Sequence, residues 1–133
     1  MTHKFSVSWR VRFDEVDMQG MVHHPQIVTY LEVARVEYWR ETGISYKQLR
    51  DEGYEYIIKH VSVEYKKPLL FEELIEVRIG VKKLARASFI LGYEIYKENG
   101  ELAVEAETEL VCAKVGVGKP TALPESYLEK LRT

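Results

Sequence analysis

PQIVTYLEVARVEYWRETG, residues 25–43, carries the reading that decides the fold. Ile27, Tyr30, Leu31, Ala34 and Tyr38 recur at helical spacing. Pro25 suits a first helical position, and Gly43 is a natural stop. The spacing predicts a helix of roughly five turns at ~3.6 residues per turn. It is the longest helix the chain offers, and its apolar stripe needs a surface to bury it.

Working outward, that surface lies downstream. Ser45 is a candidate N-cap for a short helix, SYKQLRDEG, that stops at Gly53. From Tyr54 the chain changes character. Tyr54 to Tyr65, Leu74 to Leu84, Ala87 to Tyr96 and Leu102 to Val115 are rich in Val, Ile, Tyr and Phe. Short connections separate them, and Asn99-Gly100 is a strong hairpin signal. Upstream, Phe5, Val7, Trp9, Val11 and Phe13 alternate with polar residues, the mark of a half-buried strand. Residues 14–24, DEVDMQGMVHH, break that alternation and read as a loop. Ser126 to Leu131 reads as a closing helix after Pro124. Strand, loop, long helix, short helix and four meandering strands make an α+β chain whose antiparallel sheet packs on the long helix.

The 133 residues suit one domain. Apolar residues make up 46% and charged residues 30%, with net charge −2, so there is no basic footprint for nucleic acid. A single cysteine, Cys112, excludes an internal disulfide framework and points to a reducing cytoplasm. No stretch has the length of a signal peptide core or of a membrane span. Glu and Lys are abundant and Asn occurs once, at Asn99, a composition that leans towards thermophiles.

Chemistry concentrates between Asp14 and Pro25. Asp17 lies a few residues before a helix start, and Gly20 permits a left-handed turn. A helix N-terminus presents unpaired N–H groups and the positive end of the helix dipole, which can polarise a carbonyl. A neighbouring carboxylate can attack that carbonyl or activate water against it. Taken by themselves, these residues read first as a turn in which Asp17 is a cap.

Four ordered blocks carry a family resemblance. RVRFDEVDMQGMVHHPQIVTYLEVARVEYWRETG resembles the signature of the 4-hydroxybenzoyl-CoA thioesterase family, especially its Tol-Pal-associated short acyl-CoA thioesterases. HVSVEYKKPLLFEELIEV, KKLARASF and ETELVCAKVGVGKPTALP follow in the family's order. The resemblance implies one hotdog domain over residues 1–133, a five-stranded antiparallel sheet wrapped around a central helix. It implies hydrolysis of an acyl-CoA by Asp17 as nucleophile or general base, with Gly20 shaping the loop and the backbone N–H near His24 polarising the thioester. It implies a homodimer joined sheet edge to edge, or a homotetramer, with interface active sites. No cofactor is implied, since CoA belongs to the substrate. Pro25, Gln26 and Ile27 depart from the family pattern and bear on the shape of the acyl pocket.

Lys82, Lys83, Arg86 and Ser88 form the expected patch for the CoA phosphates. Lys66 and Lys67 are the second choice. Glu32 is the alternative catalytic acid, with an ion pair to Arg35 as its plainer role. Asp14 and Glu15 read as solvated loop charges, Trp9 and Trp39 as core or interface aromatics, and Cys112 as core. His23 and His24 suggest no metal site, because adjacent side chains diverge and further ligands are missing nearby. Rival readings are a non-catalytic acyl-CoA-binding module and a hotdog hydratase or dehydratase.

Overall fold

A computed structural model describes residues 5–132. The elements run in the order β1 (Phe5–Arg10), α1 (His24–Thr42), α2 (Tyr46–Asp51), β2 (Tyr54–Tyr65), β3 (Leu74–Leu84), β4 (Ser88–Tyr96), β5 (Leu102–Lys114) and α3 (Glu125–Arg132). The strands form one antiparallel sheet in the order β1-β3-β4-β5-β2. This is the hotdog arrangement that the resemblance implies.

Helix α1 buries Ile27, Tyr30, Leu31, Ala34, Tyr38 and Trp39. That stripe meets Ile75, Val77 and Ile79 of β3, Phe89, Leu91, Tyr93 and Ile95 of β4, and Val104 and Leu110 of β5 in a single core. Each large apolar side chain so buried contributes ~1.5–3 kcal/mol. Gly43 ends α1 with a φ of 80°, a left-handed conformation that glycine adopts without a Cβ clash. The Asn99-Gly100 hairpin forms as expected, with Gly100 at φ 90° and the Lys97 N–H bonded to Glu101 O at 2.8 Å. No helix among the described residues is long and apolar enough to cross a membrane.

Two local expectations need correction. The alternation from Phe5 to Phe13 is not one strand. The chain leaves the sheet after Arg10, residues 13–15 make a 3-10 turn, and Phe13 is 79% exposed. Glu15 is not a solvated charge either. It is 6% exposed, and its carboxylate turns back to accept the Arg12 N–H at 2.8 Å, which bends the chain out of the strand.

Candidate active site

The loop between β1 and α1, residues 11–23, is tightly hydrogen-bonded. The Asp17 N–H donates to Met21 O at 2.8 Å, and the Gly20 N–H donates to Asp17 O at 3.0 Å. Gly20 sits at φ 78°, which lets the chain reverse there without a side-chain clash. The Asp17 side chain stabilises the reversal: its Oδ1 accepts the Gln19 N–H at 2.8 Å and the Met21 N–H at 3.2 Å. The capping role is therefore real, but it occupies one carboxylate oxygen. Oδ2 has no hydrogen-bond partner among the described residues, and the side chain is exposed.

The loop delivers the chain to α1, whose N-cap is His23 and whose first residue is His24. Pro25 therefore occupies the second helical position. Neither histidine caps the helix through its side chain: the His23 side chain makes no cap hydrogen bond. The His23 N–H is bonded to Glu15 O at 3.0 Å and the Gln26 N–H to His23 O at 2.9 Å. Among the described residues, no hydrogen bond uses the His24 N–H. An unpaired donor at the positive end of a five-turn helix is suited to a carbonyl oxygen.

Asp17 and His24 line one cavity of about 250 Å³ with Met21, Val22, Ile27, Tyr65, Lys66, Lys67, Leu69 and Val104. Its base is apolar, since Val22, Ile27, Leu69 and Val104 are all buried. The wall is held by backbone pairing between the loop and the segment before β3. The Val22 N–H bonds Leu69 O at 2.8 Å and the Phe71 N–H bonds Gly20 O at 3.0 Å. Tyr65, at the end of β2, closes one side. Its ring stacks on the His24 imidazole with centroids 4.6 Å apart, and its hydroxyl donates to His24 O at 3.4 Å. Nothing local in the sequence points to Tyr65, which lies 41 positions from His24.

Lys66 and Lys67 stand at the rim, in ion pairs with Glu64 at 3.3 Å and Glu101 at 3.7 Å. The other basic group is elsewhere. Lys82, Lys83, Arg86 and Ser88 surround the β3–β4 hairpin, while the Asp17 loop pairs with the chain just before β3. Strand β3 has 11 residues, which at ~3.3 Å per residue separates the two ends by about 35 Å. Lys82 ion-pairs with Glu107. Both line a cavity of about 390 Å³ with Glu64, Glu94 and Glu105, and that acidic lining disfavours phosphate. Glu32 is exposed on α1, does not line the Asp17 cavity, and makes no ion pair with Arg35 among the described residues. Arg35 reaches the Tyr93 hydroxyl at 3.4 Å instead. No group of three or more His, Cys, Asp or Glu among the described residues could hold a metal ion.

Residues 11–131 match the family described as the thioesterase-like superfamily. The chain belongs to this superfamily. Similarity to individual superfamily proteins extends over almost the full chain. The acyl-CoA thioester hydrolase YbgC of Escherichia coli O6:H1 is 28% identical over 123 residues, 92% of each chain. The DHNA-CoA thioesterase of Staphylococcus aureus superposes with a TM-score of 0.88 at 32% identity, covering 94% of this chain and 86% of that one. A thioesterase from Thermus thermophilus, solved with coenzyme A and Zn, gives a TM-score of 0.80 at 28% identity, covering 96% and 90%.

Proposed function

We propose that this chain hydrolyses an acyl-CoA thioester to a carboxylic acid and free CoA. The observation that carries the proposal is the meeting of Asp17 and the unpaired His24 N–H in one apolar-based cavity. The thioester oxygen takes the His24 N–H, where the helix dipole stabilises the negative charge that develops on it. Asp17 then acts through Oδ2. It attacks the carbonyl carbon, expelling the CoA thiolate and leaving an anhydride that water opens. Alternatively it takes a proton from the attacking water. Gly20 holds the reversal that presents Asp17. Single turnover in 18O water separates the routes, because only the anhydride route can transfer label into the Asp17 carboxylate.

The apolar base accepts the acyl group, and Lys66 and Lys67 offer charge to the CoA side. We assign the protein to the cytoplasm and to a homodimer joined along β2. Ile57, Ile58, Val61 and Tyr65 on this edge strand are large apolar residues left exposed in one chain, a surface that needs a partner. A two-fold copy runs antiparallel along β2, so its β3–β4 hairpin arrives at the end that carries Asp17. Lys83, Arg86 and Ser88 then serve the CoA phosphates of the partner's site, while Lys82 stays paired with Glu107, and two such dimers make the tetramer.

Thiol release from a panel of acyl-CoAs tests the activity. Turnover by the native chain and its loss in Asp17→Asn are expected. No release across the panel would overturn the reaction, with tight acyl-CoA binding in its place identifying a binding module. Full turnover by Asp17→Asn would overturn the role of Asp17.

A further inference from the structure

Glu15 is a buried carboxylate that the chemistry above leaves unused. Its Oε1 accepts the Tyr30 hydroxyl at 2.8 Å and the Arg12 N–H at 2.8 Å. Its Oε2 faces the Arg12 guanidinium at 3.2 Å. Its backbone is equally committed: the Glu15 N–H bonds Arg12 O, and Glu15 O accepts the N–H of His23, the N-cap of α1, both at 3.0 Å. One residue thus joins the end of β1, the start of α1 and the buried face of α1. Tyr30 is itself fixed, with the Trp9 ring edge-on at 5.3 Å. Burial first, and then the hydrogen bond to Glu15, push the Tyr30 phenol well above its usual range, so it stays a donor.

Burying a carboxylate is expensive unless its partners are complete, and an apolar residue of similar size would often be more stabilising. The device sits two residues before Asp17. Beyond it Val16 packs only partly against the core, Asp17, Met18 and Gln19 are exposed, and the next fully buried side chain is Val22.

We infer that Glu15 is a positioning residue, which fixes the loop bearing Asp17 and the His24 N–H on helix α1 through Tyr30 and Arg12. The inference rests on the thioesterase reading for its kinetic consequence, but not for its structural one. A displacement of about 1 Å in a reacting group is enough to lose ~100-fold in rate.

Three variants test it: Glu15→Gln, Glu15→Leu and Tyr30→Phe. Glutamine keeps the Oε1 acceptor for both Tyr30 and Arg12, so Glu15→Gln should hold kcat within about fivefold. Glu15→Leu should lower kcat by ~10- to 100-fold, with KM changed by less than about threefold. Tyr30→Phe should fall between them, and it replaces the leucine variant if that chain fails to fold. Amide hydrogen exchange across residues 16–23 is the readout that needs no substrate. It should quicken in Glu15→Leu and Tyr30→Phe and stay slow in Glu15→Gln and Asp17→Asn. Native exchange in both the leucine and phenylalanine variants would overturn the inference even if the native chain released no thiol. Native kcat in both, beside an inactive Asp17→Asn, would overturn it while leaving the thioesterase reading standing.

Discussion

The imidazole of His24 lies nearly flat against the ring of Tyr65, with an interplanar angle of 23°. The contact joins the start of α1 to the end of β2 and forms one wall of the Asp17 cavity. Truncation at Tyr65 should therefore change substrate fit more than chemistry. Tyr65→Ala should raise KM for the preferred acyl-CoA by roughly tenfold, on the order of 1.4 kcal/mol of lost contact. It should also shift the preferred acyl group towards a bulkier one. Tyr65→Phe, which keeps the stack and loses only a long hydrogen bond, should behave as the native chain. A substrate panel on both variants checks this.

Asp17 has two jobs, and two substitutions separate them. Asp17→Asn keeps an oxygen for the Gln19 and Met21 N–H groups, so the loop should stay folded while turnover falls by at least ~100-fold. Asp17→Ala should lose the same turnover and, in addition, about 1 kcal/mol of stability through the vacated turn. Urea unfolding of the pair gives the difference.

The Glu73–Lys97 pair braces the segment that lines the cavity. Lys97 Nζ reaches Glu73 Oε1 at 3.0 Å, and both side chains are nearly buried. Burial alone would raise the Glu73 pKa. The Leu70 N–H, the Lys97 ammonium and the Glu98 N–H outweigh it and hold the carboxyl below its ordinary 4.5. A group with a lowered folded value binds fewer protons folded than unfolded near that pH. Its contribution is therefore complete above pH 4.5 and is lost as pH falls through the folded value. Glu73→Gln should flatten the acid limb of the stability curve, and Lys97→Met should cost about 1–2 kcal/mol at neutral pH, because the carboxylate keeps the Leu70 and Glu98 N–H groups. Denaturant melts from pH 3 to 7 are the measurement, a range of about four units centred near the group's usual titration.

Among the described residues the Tyr56 hydroxyl is buried without a hydrogen-bond partner, although its ring packs on Trp39 and edge-on to Phe89. Removing the hydroxyl removes an uncompensated polar group and keeps the packing. Tyr56→Phe should be neutral or stabilising by up to about 1 kcal/mol, a rise in the thermal midpoint rather than the fall that most core substitutions give.

The elements that specify the fold locally were legible in the sequence. The α1 stripe from Ile27 to Tyr38 needs only its own spacing, and Asn99-Gly100 needs only its turn. Asp17 stood out because it precedes a helix start. Glu15 was misread because its burial depends on a hydroxyl 15 positions away, on a different element. Phe13 was misread because alternation says nothing about where a strand stops. The Lys82 to Ser88 group fits CoA by charge, but only strand direction shows that it lies at the other end of the sheet from Asp17. Tyr65 was missed because its partner is set by the closing of the sheet on the helix, not by neighbours in the chain.

Cys112, with no exposed surface, is the chain's one thiol, and burial pushes its pKa up. A colorimetric thiol reagent that counts released CoA will therefore find the folded protein silent, since the thiolate is the reactive form. The same reagent will gain one equivalent of colour per chain once the molecule opens. Every activity trace thus contains its own control: signal that grows with substrate reports turnover, and signal that saturates at the protein concentration reports denaturation.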